Sequence, residues 1–127
     1  MTPVLLLLAG VMGGLGVGLR FLCDTAIRLH LKTSFSWATT LINTSGSLAL
    51  GVLTGLVLTQ VASEELRIVL GSGFLGGYTT FSTASYETVQ YIRQKRYGFA
   101  VLSGAGMLLL CVGAAALGLW ITTFFAQ

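Results

Sequence analysis

Charged residues are scarce in this sequence. Asp, Glu, Lys and Arg make up 9% of its 127 residues, whereas 54% are hydrophobic. Soluble domains carry roughly 25% charged residues, so this composition excludes an ordinary soluble protein. Because about 20 apolar residues cross a bilayer, the length accommodates four helices in a single domain, 1–127. We place these spans at about 3–22, 37–61, 67–91 and 98–125, which predicts an all-α integral membrane protein.

The features of enzymes and coupled transporters are also missing. No Asp or Glu lies deep in a predicted span, which argues against proton-coupled transport. The sequence contains no HExxH-type metal motif, phosphate-binding loop or evident nucleophile–base pair, so we do not expect an enzyme. Cys23 and Cys111 lie far apart, in no metal-ligand or redox spacing. The net charge of +3 is too small to indicate binding to nucleic acid.

Glycine and hydroxyl residues are abundant in the middle of the third predicted span. Residues 71–87 read GSGFLGGYTTFSTASYE. Glycine weakens a helix through backbone entropy, and Ser and Thr hydroxyls compete for backbone hydrogen bonds. In lipid, an interrupted helix is tolerated only where protein buries it or where it lines a polar cavity. The pattern therefore predicts a break near residues 76–81 and an ion-binding site at that break.

Three polar residues in or beside the spans allow two interpretations each, and a fourth is notable for its position. Arg20, near the end of the first predicted span, either reaches the lipid headgroups or guards an entrance for anions. Asn43 either makes an interhelical hydrogen bond or donates to a permeating ion. Glu87 either faces the membrane interface or lines a vestibule. Ser103 carries the one hydroxyl of the fourth span before Thr122.

Small residues recur every four positions in the first two spans. Gly10, Gly14 and Gly18 share one face of the first, which predicts a surface that another backbone approaches closely. In the second span the corresponding stripe consists of Asn43, Ser47, Gly51 and Gly55.

Three segments together resemble the small bacterial fluoride channels of the Fluc/CrcB family. These segments are GGLGVGLRF (13–21), TLINTSGSLALG (40–51) and GFLGGYTTFST (73–83). The resemblance extends over three of the four spans. It implies an antiparallel, dual-pore dimer of four-helix subunits in the bacterial cell membrane, surrounded by lipid, that exports fluoride passively.

The resemblance also implies roles for individual residues. Backbone carbonyls at Gly76 and Thr79 match those that hold a structural Na⁺ at the centre of the dimer. The residues that match the fluoride pathway and its vestibules are Asn43, Phe81, Ser82, Thr83, Arg20 and Glu87, and we add Ser103. Aromatic edges carry positive partial charge, which gives a physical reason for a phenyl ring to approach an anion.

One position departs from the family pattern. The family sequence TTFSTF contains a second phenylalanine, which is Ala84 here. The loops are also biased in charge: Arg20, Arg28, Lys32, Arg93, Lys95 and Arg96 fall on the side opposite the termini, against Arg67 alone. The positive-inside rule then predicts a single orientation with both termini outside. We therefore expect pairing with an oppositely oriented related subunit that supplies the missing phenylalanine.

Two other functions remain open at this point. Ala84 favours a non-conducting accessory subunit of a heterodimeric channel, although Asn43, Phe81 and the third-span motif are all retained. A small multidrug transporter of the dual-topology kind would need a carboxylate within its first helix, and this first span has none.

Overall fold

The computed structural model describes residues 2–32 and 35–125, and every regular element in those two ranges is a helix. Helix α1 covers Pro3–His30, with the Thr2 hydroxyl accepting a hydrogen bond from the Leu5 N–H at its start (3.2 Å). Helix α2 covers Trp37–Leu58. Helix α3 covers residues 64–78, α4 covers Phe81–Arg93, and α5 covers Tyr97–Phe125.

Three of these helices are long and apolar enough to cross a membrane: α1, α2 and α5. The segment predicted as the third span, 67–91, consists instead of two shorter helices, α3 and α4. The first helix differs most from its prediction, because it continues past Leu22 to His30. Arg20 therefore lies inside α1 rather than in its last turn, and the predicted connection after residue 22 is mostly helical.

The predicted break is present and short. Tyr78 is the last residue of α3, and Thr79 and Thr80 are extended, with ψ of 158° and 119°. Residues before it stay helical despite their glycines, but Arg67–Leu75 forms the wider turns of a π-helix. A second π-helical segment, Leu102–Gly106, lies in α5. Such segments often occur at functional sites.

Close backbone contact joins α1 to α3, but not along the predicted glycine face. A Cβ at Gly10, Gly14 or Gly18 would meet nothing within 4 Å in the described part of the chain. The close approach is made by Gly13 and Gly16 instead: a Cβ at Gly16 would collide with the Phe74 carbonyl. The predicted face of α1 was therefore wrong within the subunit, and α1 runs parallel to α3 along another face.

The predicted stripe of α2 packs against α5. A Cβ at Gly51 would collide with the Ala115 backbone, and one at Gly55 with the Thr122 side chain. Asn43 reaches Met107 two turns earlier. Both helices progress in the same direction along this contact, so α2 and α5 are parallel neighbours.

A cluster of aromatic rings ties the far end of α4 to the starts of α2 and α5. Phe35 stacks on Tyr91 with ring centroids 5.8 Å apart and meets Phe99 edge-on at 5.4 Å. The Tyr91 hydroxyl accepts a hydrogen bond from the Ser36 N–H (2.8 Å) and donates to the Ser36 hydroxyl (3.0 Å). This cluster fixes the end of α4 that lies away from the break.

The first turn of α3 carries an exposed ion pair. The Arg67 guanidinium donates hydrogen bonds to the Glu64 carboxylate, and these hold the pKa of Glu64 below its usual value. Ser63 caps the same helix start by accepting from the Leu66 N–H at 3.2 Å. These contacts define where α3 begins.

Candidate functional site: a helix break beside a cavity

The break between α3 and α4 is held by the side chain of Asn43. Its Nδ2 donates to the Thr80 carbonyl at 2.7 Å, and its Oδ1 accepts from the Thr80 N–H, also at 2.7 Å. Asn43 is buried, with 7% of its surface exposed. The same amide nitrogen lies 3.5 Å from the Met107 sulfur. Asn43 thus makes the interhelical hydrogen bond that was one of its two predicted roles, while its contact with fluoride stays a prediction.

The start of α4 is capped by hydroxyl groups. The Thr80 hydroxyl accepts from the Thr83 N–H at 3.2 Å and donates to the Thr83 hydroxyl at 3.1 Å. Ser82 lies on the exposed side of the same turn, its hydroxyl 3.4 Å from that of Thr80. Ser82 and Thr83 therefore belong to the first turn of α4 at the break, where the Thr80 hydroxyl caps the start of a helix of 13 residues.

A cavity of about 660 Å³ opens beside the break. Its walls are mostly apolar, with a few polar groups that converge from four helices. The predicted residues on its surface are Asn43, Gly76, Thr79, Phe81, Ala84 and Ser103. The structure therefore brings together residues from the second, third and fourth predicted spans.

Phe81 and Ala84 both line this cavity but differ sharply in solvent exposure. The Phe81 side chain is 85% exposed, whereas Ala84 is 3% exposed. An aromatic ring at the surface of a membrane-spanning subunit either faces lipid or is covered by another protein surface. Ala84 is buried and lines the cavity with a methyl group, at the position where the resemblance implies a ring.

Sequence reasoning missed Thr88, which lies one turn after Ala84 on the cavity side of α4. Its hydroxyl is 2.9 Å from that of Ser103 and donates to the Ala84 carbonyl at 2.8 Å. Ser103 is itself buried, with 5% exposed, in the π-helical segment of α5. The spacing of Thr80, Ala84 and Thr88 at four-residue intervals is a signal that would have placed Thr88 on this face.

The predicted sodium ligands fit a carbonyl site. In a continuous helix the Thr80 N–H would bond to the Gly76 carbonyl, but here it bonds to Asn43. Gly76 also lies on the exposed surface of the subunit. A carbonyl released from its usual donor at a surface is the type of ligand that an alkali cation takes. The Thr79 carbonyl is approached at 3.3 Å by Nη1 of Arg20.

Glu87 lies away from the cavity, on the side of α4 that faces α1. Its Oε2 accepts from Arg28 Nη2 at 3.3 Å, and Arg28 also pairs with Asp24 at 3.0 Å. The Glu87 Oε1 is buried and lacks a hydrogen-bond partner among the described residues. Glu87 is thus held by α1 and lies apart from the group around Asn43, whereas Arg20, a residue of α1, reaches the break itself.

Comparison with known proteins identifies the family of this chain. The profile of the family described as CrcB-like protein, Camphor Resistance (CrcB), matches residues 7–119. A protein named fluoride-specific ion channel FluC 1 from Leifsonia xyli subsp. xyli is 48% identical over 121 residues, which cover 95% of this chain and 88% of the relative.

More distant relatives carry corresponding names. The fluoride-specific ion channel FluC 1 of Streptomyces avermitilis is 38% identical over 97% of this chain and 94% of its own length. The fluoride-specific ion channel FluC of Thermus thermophilus is 38% identical over 88% of this chain and 90% of its own length. A family profile that matches most of the chain, with relatives that align nearly end to end, shows that this protein belongs to the CrcB family.

Proposed function

We propose that this protein is a subunit of a fluoride-selective channel that lets fluoride leave the cell passively. The observation that carries the proposal is the convergence of Asn43, Phe81 and Ser103 on one cavity beside the helix break. Several relatives that align along almost the whole chain are named as fluoride-specific ion channels, which supports the same function. Export needs no coupled ion, because the membrane potential favours exit of an anion.

Fluoride holds its hydration shell tightly, so a pore must replace water with several donors in sequence. The hydroxyls of Thr88 and Ser103 and the edge of the Phe81 ring are the groups available along this cavity. The Asn43 amide reaches the same cavity but already donates to Thr80. In this proposal Asn43 acts first by holding the break open in one geometry and second as a donor on the ion's route.

The proposed assembly is an antiparallel dimer of four-span subunits in the bacterial cell membrane. In each subunit α3 and α4 together form the third span. Na⁺ at the subunit interface would be held by the Gly76 and Thr79 carbonyls. The exposure of Phe81 and Gly76 supports a second subunit over this face. Relatives numbered as separate channels, such as FluC 1 and FluC 3, support a related partner rather than an identical one.

The charge distribution supports a fixed orientation with both termini outside. Arg20 lies well before the last turn of α1, so it no longer counts among the residues at the membrane edge, whereas Arg28 lies in that last turn. The remaining basic side still has Arg28, Lys32, Arg93, Lys95 and Arg96 against Arg67. A reporter fused to the C-terminus would be expected to report the outside alone. Equal signals from both sides would contradict the fixed orientation and favour a homodimer.

The functional test is fluoride efflux from liposomes that contain this chain alone or together with a related subunit from the same cell. Flux only with the second subunit would support a heterodimer, and robust flux from the single chain would support a homodimer that tolerates Ala84.

A single substitution tests the role of Phe81. Phe81→Ile is expected to abolish fluoride flux without unfolding the protein, because the ring contributes little to the subunit's own core. Tyr86→Ile, at a ring that is 65% exposed on the same helix, is the control. Unchanged flux in Phe81→Ile would remove Phe81 from the pathway. A complete lack of fluoride flux in every combination would overturn the channel function.

A further inference from the structure

A charged side chain from α1 reaches the backbone of the break. Arg20 Nη1 donates to the Thr79 carbonyl at 3.3 Å, and the side chain is half-buried there. Arginine keeps its charge at any accessible pH, so this guanidinium is a fixed cation inside the helix bundle. The sequence alone suggested a role at the lipid headgroups or at an entrance for anions, and neither interpretation included a bond to the broken helix.

The glycines of α1 explain why Arg20 reaches this carbonyl. Gly16 lets the α1 backbone approach the Phe74 carbonyl so closely that a Cβ would collide with it. Arg20 follows one turn later on the same face, directly beside the end of α3. Farther along, Arg28 pairs with Glu87 of α4 at 3.3 Å. Helix α1 therefore contacts both halves of the broken segment and carries Arg20 between them.

The carbonyl end of α3 is stabilised by a nearby positive charge, and Arg20 supplies one. The last carbonyls of a helix lack helical donors and carry the negative end of its dipole. Asn43 bonds to the carbonyl of Thr80, the next residue, so Asn43 and Arg20 divide the two carbonyls of the break between them.

We propose that Arg20 is a positioning residue that holds the Thr79 carbonyl in place and, through its charge, weakens Na⁺ binding at the same break. This inference rests on the proposed sodium site for its second half. A carbonyl oxygen has two acceptor sites, so the guanidinium and Na⁺ are able to share it. Two positive charges a few ångströms apart repel, and at the effective dielectric constant of a protein this repulsion reduces the affinity for Na⁺ by about tenfold or more.

The experiment measures thermal unfolding as a function of Na⁺ concentration, with N-methyl-D-glucamine replacing Na⁺ at constant ionic strength. The chain is purified in detergent in whichever assembly is stable, alone or with its related subunit. Arg20→Gln removes the charge, Arg20→Lys keeps it, and Arg93→Gln removes an exposed charge at the far end of α4 as the matched control.

We expect Arg20→Gln to lower the unfolding temperature without Na⁺, because the Thr79 carbonyl loses its charged donor. In the same variant the Na⁺ concentration that gives half of the maximal stabilisation should fall by about tenfold, since the repulsion is gone. Arg20→Lys should keep that concentration close to the value of the unchanged protein, and Arg93→Gln should change neither quantity.

Two results with Arg20→Gln would overturn the proposal. If Arg20→Gln lowers the unfolding temperature equally with and without Na⁺, Arg20 is only a structural contact. If its unfolding temperature and Na⁺ dependence both match those of the unchanged protein, Arg20 does not act on the break. A lack of any Na⁺ response in all variants would overturn this inference together with the sodium site, while fluoride efflux from the same preparations tests the channel function separately.

Discussion

Asn43 acts on the backbone of the break much as a neighbouring peptide group would. A primary amide offers a donor and an acceptor side by side, and both bond to Thr80 at 2.7 Å. The Thr80 N–H, which the break releases from helical bonding, is thereby paired inside an apolar bundle, where an unpaired group is costly. That an amide occurs in α2 is plain from the sequence, but its partner is not, because hydrogen-bond partners depend on distances between helices that spacing along the chain does not specify.

Asn43→Asp tests this pairing. A carboxylate still accepts from the Thr80 N–H but faces the Thr80 carbonyl without a proton to donate. We expect the free energy of unfolding to fall by about 1–3 kcal/mol and fluoride flux to fall sharply, measured by thermal unfolding in detergent and by efflux from liposomes.

The control is Thr44→Val, which removes a half-buried hydroxyl in the next position of α2, 3.9 Å from the Cys111 sulfur. It should leave both the stability and the flux nearly unchanged. An Asn43→Asp variant with normal stability would show that the amide bonds to Thr80 do not hold the break.

At the scale of helices, glycine spacing identified close-packed faces correctly in α2 and incorrectly in α1. In α1 the sets Gly10, Gly14, Gly18 and Gly13, Gly16 both recur at helical intervals, and only the position of α3 decides which set is buried. The break in the third segment was predictable, since its hydroxyl residues are local. The π-helical turns at Arg67–Leu75 and Leu102–Gly106 were not, because they depend on packing against neighbouring helices.

Gly16→Ala and Gly14→Ala compare the two faces of α1 directly. At Gly16 the new methyl group would collide with the Phe74 carbonyl, so we expect a loss of about 1–3 kcal/mol in the free energy of unfolding. At Gly14 a Cβ meets nothing within 4 Å in the described chain, so alanine should stabilise the helix by up to about 1 kcal/mol. Thermal unfolding in detergent measures both, and equal effects would contradict the assigned face.

For the whole molecule, the surface around the break is exposed in a single subunit. Gly76 and Ser82 are exposed there, as is the Phe81 ring. The sequence predicted a partner subunit through Ala84 and the loop charges, and the exposure of these residues is what the proposed assembly requires of this face. Which partner it is depends on a second chain, so neither this sequence nor this subunit specifies it.

Gly76→Leu separates folding of the subunit from its assembly. Among the residues that the structure describes, a Cβ at Gly76 would have only the Gly71 carbonyl within 4 Å, at 3.9 Å. We therefore expect the subunit to fold and insert normally, while the added side chain blocks close approach of a partner and removes Na⁺-dependent stabilisation. Size-exclusion chromatography or chemical cross-linking measures assembly, and a fully assembled Gly76→Leu variant would place the interface elsewhere.

The 85% exposure of the Phe81 ring and the open break beside it also have a consequence for the cell. In a newly inserted subunit without a partner, the extended backbone at Thr79 and Thr80 interrupts the helix within the membrane. Membrane proteases that cleave non-helical segments would be expected to cut there. In the proposed dimer the partner subunit covers that point. We therefore expect surplus subunits to be short-lived, so that the ratio of two partners in the membrane is set by degradation of whichever is made in excess rather than by matched synthesis.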